Sequence, residues 1–203
     1  MKNYLPILII WWGICGPYLI FGQQLFSVGV KAGATLATQT VDDGTSDYGV
    51  KPGLLAGGYI RYVFSTMALQ MDVVYSQQGA SIDYQNEKFS STFKYINLPV
   101  VLQYQVAPSW ILQAGPQVGF LTCAKSDFHP VTHAPYDEQT YTKAYKKTDY
   151  GIALGGGWAP PDKKMVIEFR YYVGLSSIND YAGVAETRNN VLQLTLGYRL
   201  KDF

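Results

Sequence analysis

Eight stretches of this chain alternate polar and apolar residues with a period of two, and the connections between them alternate as well, short after long. The stretches fall at 25–38, 50–65, 67–84, 92–106, 110–125, 147–160, 165–178 and 190–203. Residues 39–49, 85–91, 126–146 and 179–189 read as long polar loops, whereas 65–66, 107–109 and 161–164 read as tight turns. Period-two patterning predicts strands, and each stretch reaches the roughly 9–11 residues that cross a bilayer. Keeping every second connection short predicts an all-β, eight-stranded antiparallel up-and-down barrel with unlike ends, of the kind that spans an outer membrane. Both termini then fall at the short-turn end, which in an exported barrel is the periplasmic one.

Strand faces carry the next step. In the third stretch Met67, Leu69, Met71, Val73 and Tyr75 share one face, while Ala68, Gln70, Asp72 and Ser76 share the other. The seventh sets Met165, Ile167, Phe169, Tyr171 and Val173 against Glu168 and Arg170. In the last, Leu192, Leu194, Leu196, Tyr198 and Leu200 oppose Gln193, Thr195 and Arg199. Parity alone does not say which face is outside. With the apolar faces inward, the chain would be a soluble, lipocalin-like periplasmic barrel binding an apolar ligand. With them outward, Lys31, Arg61, Asp72, Glu168, Arg170 and Arg199 form a polar network in the lumen, beside Gln70, Gln103, Gln113, Gln117 and Gln193. The alternating loop lengths, Tyr and Trp near the strand ends, and Phe203 favour the outward reading. A barrel of this size is just wide enough for side chains to fill, so the network is expected to plug the lumen. A gated polar path is the competing reading.

Two features predict local irregularity. Pro99 and Pro116 fall inside the fourth and fifth stretches, where a proline cannot donate to the ladder, so bulges or ladder breaks are expected. Phe203 lies on the opposite parity from Leu196, Tyr198 and Leu200, which predicts a slip near the end of the eighth.

Composition supports one domain and narrows its partners. The 203 residues carry a formal charge of +1, and 48% are hydrophobic against 15% charged. No basic stripe is present, so nucleic acid is not an expected partner. Residues 1–22 join Lys2 to an apolar run ending at Gly22, the pattern of a cleaved secretory signal, which leaves 23–203 as the barrel domain of a Gram-negative cell envelope. Cys15 departs with the leader. Cys123 then stands alone, so stability must come from the ladder and packing.

Several ordered segments resemble one family. They are Val28-Gly29-Val30-Lys31-Ala32-Gly33, Tyr75-Ser76-Gln77-Gln78-Gly79-Ala80, Tyr95-Ile96-Asn97-Leu98-Pro99-Val100, Ala114-Gly115-Pro116-Gln117-Val118-Gly119-Phe120-Leu121, Arg170-Tyr171-Tyr172-Val173-Gly174-Leu175 and Gln193-Leu194-Thr195-Leu196-Gly197-Tyr198-Arg199. Together they resemble the PorT-like outer-membrane β-barrel family of the Bacteroidetes type. The resemblance implies an eight-stranded outer-membrane barrel with the two prolines as family features, and it implies no reaction.

The chemistry available in the loops is sparse. His129 and His133 are spaced for a helical metal site, but Pro130 and Pro135 interrupt the segment, so neither metal nor cofactor is expected. Ser126 and His129 are the nearest approach to a rim-active membrane enzyme, and no third group positions them, so no enzyme is expected. Tyr48, Tyr136, Tyr141, Tyr145 and Tyr181 lie among Asp, Asn and Thr, a mixture suited to protein or glycan contact through loops on a rigid scaffold. Outer-membrane lipid and the barrel-assembly machinery are the other expected partners.

Overall fold

The computed structural model describes residues 26–41, 49–84, 87–126, 142, 145–161, 164–179 and 186–203, and for 82–84, 87–89 and 126 it describes the backbone. Eight strands follow in chain order: β1 (Phe26–Val41), β2 (Gly49–Phe64), β3 (Met67–Tyr84), β4 (Glu87–Ala107), β5 (Trp110–Ser126), β6 (Thr148–Trp158), β7 (Met165–Gly174) and β8 (Thr187–Asp202). Each pairs antiparallel with its neighbours in sequence, and β1 pairs with β8, closing the barrel. Closure leaves no open edge, so every strand can satisfy its backbone without water.

The faces settle which side meets lipid. Leu54 is 66% exposed, Val73 59% and Leu194 56%, and the outer wall is otherwise made of residues such as Leu69, Ile96, Leu154 and Phe169. The alternate positions, including Lys31, Asp72, Glu168, Arg170 and five glutamines, are buried in the lumen. An outer surface of this composition would be insoluble in water and is at home in hydrocarbon. The soluble, ligand-filled barrel is thereby set aside.

One strand differs from the expectation. The segment 85–91 is not a long loop: Tyr84 pairs with Glu87, and the ladder runs on through Asp83–Lys88, Ile82–Phe89 and Ser81–Ser90. The polar composition of this segment makes a strand pair resemble a connection. Among the described residues, β2 pairs with this hairpin as far as Ser81 and β5 as far as Ser91. The 18 residues of β3 span about 60 Å, or about 40 Å along a membrane normal at a 45° tilt, which exceeds a hydrocarbon core of about 30 Å.

At the prolines the strands keep register. Pairing lapses between Met71–Val100 and Val74–Asn97 on one side of β4, and between Pro99–Gln117 and Leu102–Ala114 on the other, then resumes at the same offset. The bulges lie elsewhere. One leaves Thr122 out of the β4–β5 ladder, where its hydroxyl donates to the Lys94 carbonyl at 2.8 Å. Another falls in β8, where Val28 pairs with Lys201 and Gly29 with Arg199, so Leu200 is the extra residue. That bulge resets the parity. Phe203 thereby faces outward, its ring 5.9 Å from that of Phe26, with a backbone hydrogen bond from Phe203 N to Phe26 O at 2.8 Å.

Candidate functional site

The lumen is built around four charges drawn from three strands. Lys31 of β1 donates from Nζ to Asp72 Oδ2 of β3 at 2.9 Å and to Glu168 Oε2 of β7. Arg170 of β7 donates from Nη1 to the same Asp72 oxygen at 2.8 Å and lies 3.5 Å from Glu168 Oε1. Two positive and two negative side chains, each at most 5% exposed, thus cancel. Burying any one of them alone would cost several kcal/mol.

Small neighbours make room for this cluster. Lys31 pairs with Gly57 on β2 and with Gly197 on β8, so no side chain obstructs its reach across the lumen. Gly155 stands between Gln113 and Arg170 in the same way. Alternating small and large inward residues is how a narrow barrel is filled.

Amides and a hydroxyl extend the bonding. Gln70 Nε2 donates to Asp72 Oδ1 at 2.9 Å and to Glu168 Oε1 at 3.1 Å. Gln103 Nε2 donates to Gln70 Oε1 at 3.0 Å, and Arg61 Nε donates to Gln103 Oε1 at 2.8 Å, extending the network toward the short-turn end. Arg170 Nη2 donates to Gln113 Oε1 at 2.9 Å, and Thr195 Oγ1 lies 3.4 Å from Glu168 Oε2. The Lys31 ammonium also sits 5.2 Å from the centre of the Tyr59 ring. Of the six charged residues expected in the lumen, five therefore join one network. Arg199 lies near the short-turn rim, with Nη1 3.8 Å from Asp202 Oδ1.

A second polar group, absent from the expectation, lies nearer the long-loop end. Asp149 accepts from Ser176 Oγ at 2.7 Å and from Asn189 Nδ2 at 3.0 Å, and Asn189 Oδ1 accepts from Gln39 Nε2 at 3.2 Å. Ser76 Oγ accepts from Asn97 Nδ2 at 2.7 Å and Gln78 Nε2 at 3.0 Å. The parity of Asp149 with Gly151 and Ala153 was the available signal, hidden because Asp149 stands at the start of its strand. Gln117 lies between the two groups, its amide buried and bonded to neither. Beyond them Phe93, Tyr95, Leu121 and Ala124 pack together, and Tyr145 closes edge-on against Phe93 with ring centres 4.8 Å apart. Tyr145 thus occupies the mouth of the lumen. Thr142 Oγ1 ties the same region to the Ala124 backbone, accepting from its N–H at 3.0 Å. The other expected contact residues, Tyr48, Tyr136, Tyr141 and Tyr181, lie outside the described residues, as do His129, His133 and the leader.

A closed ring of eight strands, apolar outside and internally neutralised inside, is a small transmembrane barrel. The chain belongs to the outer membrane protein beta-barrel domain family, whose model matches residues 21–180, and its place is the outer membrane. Among solved structures it is similar to Neisserial surface protein A, with a TM-score of 0.57 at 12% identity, covering 86% of this chain and 99% of that one. It is also similar to Ail, the attachment invasion locus protein of Yersinia pestis, solved with the heparin analogue sucrose octasulfate, with a TM-score of 0.47 at 14% identity, covering 86% and 99%. The outer membrane protein W of E. coli aligns with a TM-score of 0.43 at 12% identity, covering 86% and 97%. No curated protein matches the chain in sequence.

Proposed function

We propose that this protein is a non-conducting, non-enzymatic outer-membrane barrel that holds its long external loops for envelope structure or for contact with surface proteins or glycans. One observation carries the reading: the lumen is filled by the neutral Lys31–Asp72–Glu168–Arg170 cluster and stopped by aromatic packing above it, which leaves the loop rim as the place for activity. Within its family the chain is PorT-like, on the strength of the ordered segments quoted from β1, β3, β4, β5, β7 and β8. Its termini lie in the periplasm, its lipid partner is the outer membrane, and the barrel-assembly machinery inserts it.

Deletion of residues 127–141 tests this. Thr142 and Tyr145 stay in place, so the mouth packing is kept and heat-modifiable gel migration should not change. Cells displaying the shortened barrel should lose adhesion to immobilised glycans and proteins, or become more sensitive to detergent. Unchanged adhesion and unchanged detergent resistance would reject a role for this loop.

A further inference from the structure

On the lipid-facing wall, near the short-turn end, the strands leave a groove of about 390 Å³. Its floor is made of small side chains and backbone: Ala32 of β1 pairs with Ala56 of β2, flanked by Gly57 and Gly197. Its walls are Val30, Leu196, Tyr198 and Met165, with Tyr198 paired to Val30 on one side and to Met165 on the other. The lining is almost wholly apolar and open to the side, so in a bilayer a chain of hydrocarbon fills it.

Among the described residues, two exposed lysines stand at the rim. Lys164 precedes Met165 directly, Lys201 follows Tyr198 by three residues, and both are exposed. Lys201 Nζ lies 4.4 Å from the ring of outward-facing Phe203, on the membrane side of the wall. The one acid described beside them, Asp202, faces Arg199. From this conjunction we infer that the groove is a binding site for a phosphate-headed diacyl lipid, with an acyl chain over Ala32 and Ala56, against Val30, Leu196 and Tyr198, and the phosphate against Lys164 and Lys201. Lysines at a membrane surface attract anionic headgroups, and a tyrosine between chain and headgroup suits both media.

The test uses the full chain, purified in detergent and loaded with phosphatidylglycerol or with diacylglycerol of the same chains, and reads retained lipid by native mass spectrometry. The wild-type barrel should retain phosphatidylglycerol in preference to diacylglycerol. Ala32→Phe, which fills the groove from its floor, should abolish retention of both. Ala56→Leu fills it with a smaller side chain and serves if the first variant folds poorly by heat-modifiable migration. Lys164→Ala and Lys201→Ala should each weaken phosphatidylglycerol retention about fivefold and leave diacylglycerol unchanged. Equal retention of the two lipids by the wild type, or undiminished phosphatidylglycerol on a folded groove-filling variant, would overturn the assignment. So would a groove-filling variant that loses a dimer and keeps its lipid, since a second copy would then be the occupant.

Discussion

Lys31 has two carboxylate partners, and Asp72 has two cationic ones, so no single member of the cluster can be lost without leaving bare charge in the lumen. Lys31→Met should cost about 3–5 kcal/mol, measured by urea unfolding in detergent micelles. Adding Glu168→Gln should restore much of that loss, because Arg170 and Asp72 remain a matched pair at 2.8 Å. Additive costs in the double variant would mean that the residues act through packing alone. Gly79 is demanding for another reason. Its φ is +148° and a Cβ there would stand 1.9 Å from the Ser91 carbonyl oxygen, so Gly79→Ala should destabilise the β3–β4 hairpin. At this scale the sequence was legible where parity spoke: Lys31, Asp72, Glu168 and Arg170 share the face opposite the apolar one. It could not say that they bond to one another, because the meeting of β1, β3 and β7 depends on how the ring closes.

Among the strands, the most consequential departure from regular pairing is the bulge at Leu200. Phe203 sits on the wrong parity in the sequence, and the extra residue turns it outward to meet Phe26 with tilted rings. Because Leu200 is the extra residue, deleting it should restore regular pairing of Arg199, Lys201 and Asp202 with Gly29, Val28 and Ser27 and leave Phe203 facing outward, so the yield of heat-modifiable barrel on refolding into lipid vesicles should match wild type. A lower yield would show that the bulge itself is needed, beyond the outward Phe203. Strand positions were readable because alternating exposure to lipid and lumen imposes a strict period of two. The β3–β4 hairpin was not readable in full, since its outer part is mostly polar and a polar strand resembles a loop. The prolines were read as sites of bulges or ladder breaks and are breaks: pairing lapses at Pro99 and Pro116 while neighbouring ladders hold the register.

For the whole molecule, a lumen filled from the Arg61–Gln103 pair to the Tyr145–Phe93 contact should pass no ions. Planar-bilayer recordings of the refolded wild type should show no discrete conductance steps, and regular steps would restore the gated path. The closed architecture was legible from the rhythm of turns, whereas the occupants of the rim and the outer groove were not, because binding there depends on surfaces that period and parity do not describe.

The cluster also bears on how such a barrel is made. Lys31 and Glu168 are 137 residues apart, and neither adjoins Asp72 through a shared hairpin. Glu168 and Arg170 enter together on β7, but inserting hairpins one after another would carry Lys31, and then Asp72, into hydrocarbon ahead of β7, at a cost of several kcal/mol. Neutralisation comes only when β1, β3 and β7 stand around the same axis. The kinetically favoured route is therefore a concerted one, in which the strands meet at the interface and cross as a nearly complete ring.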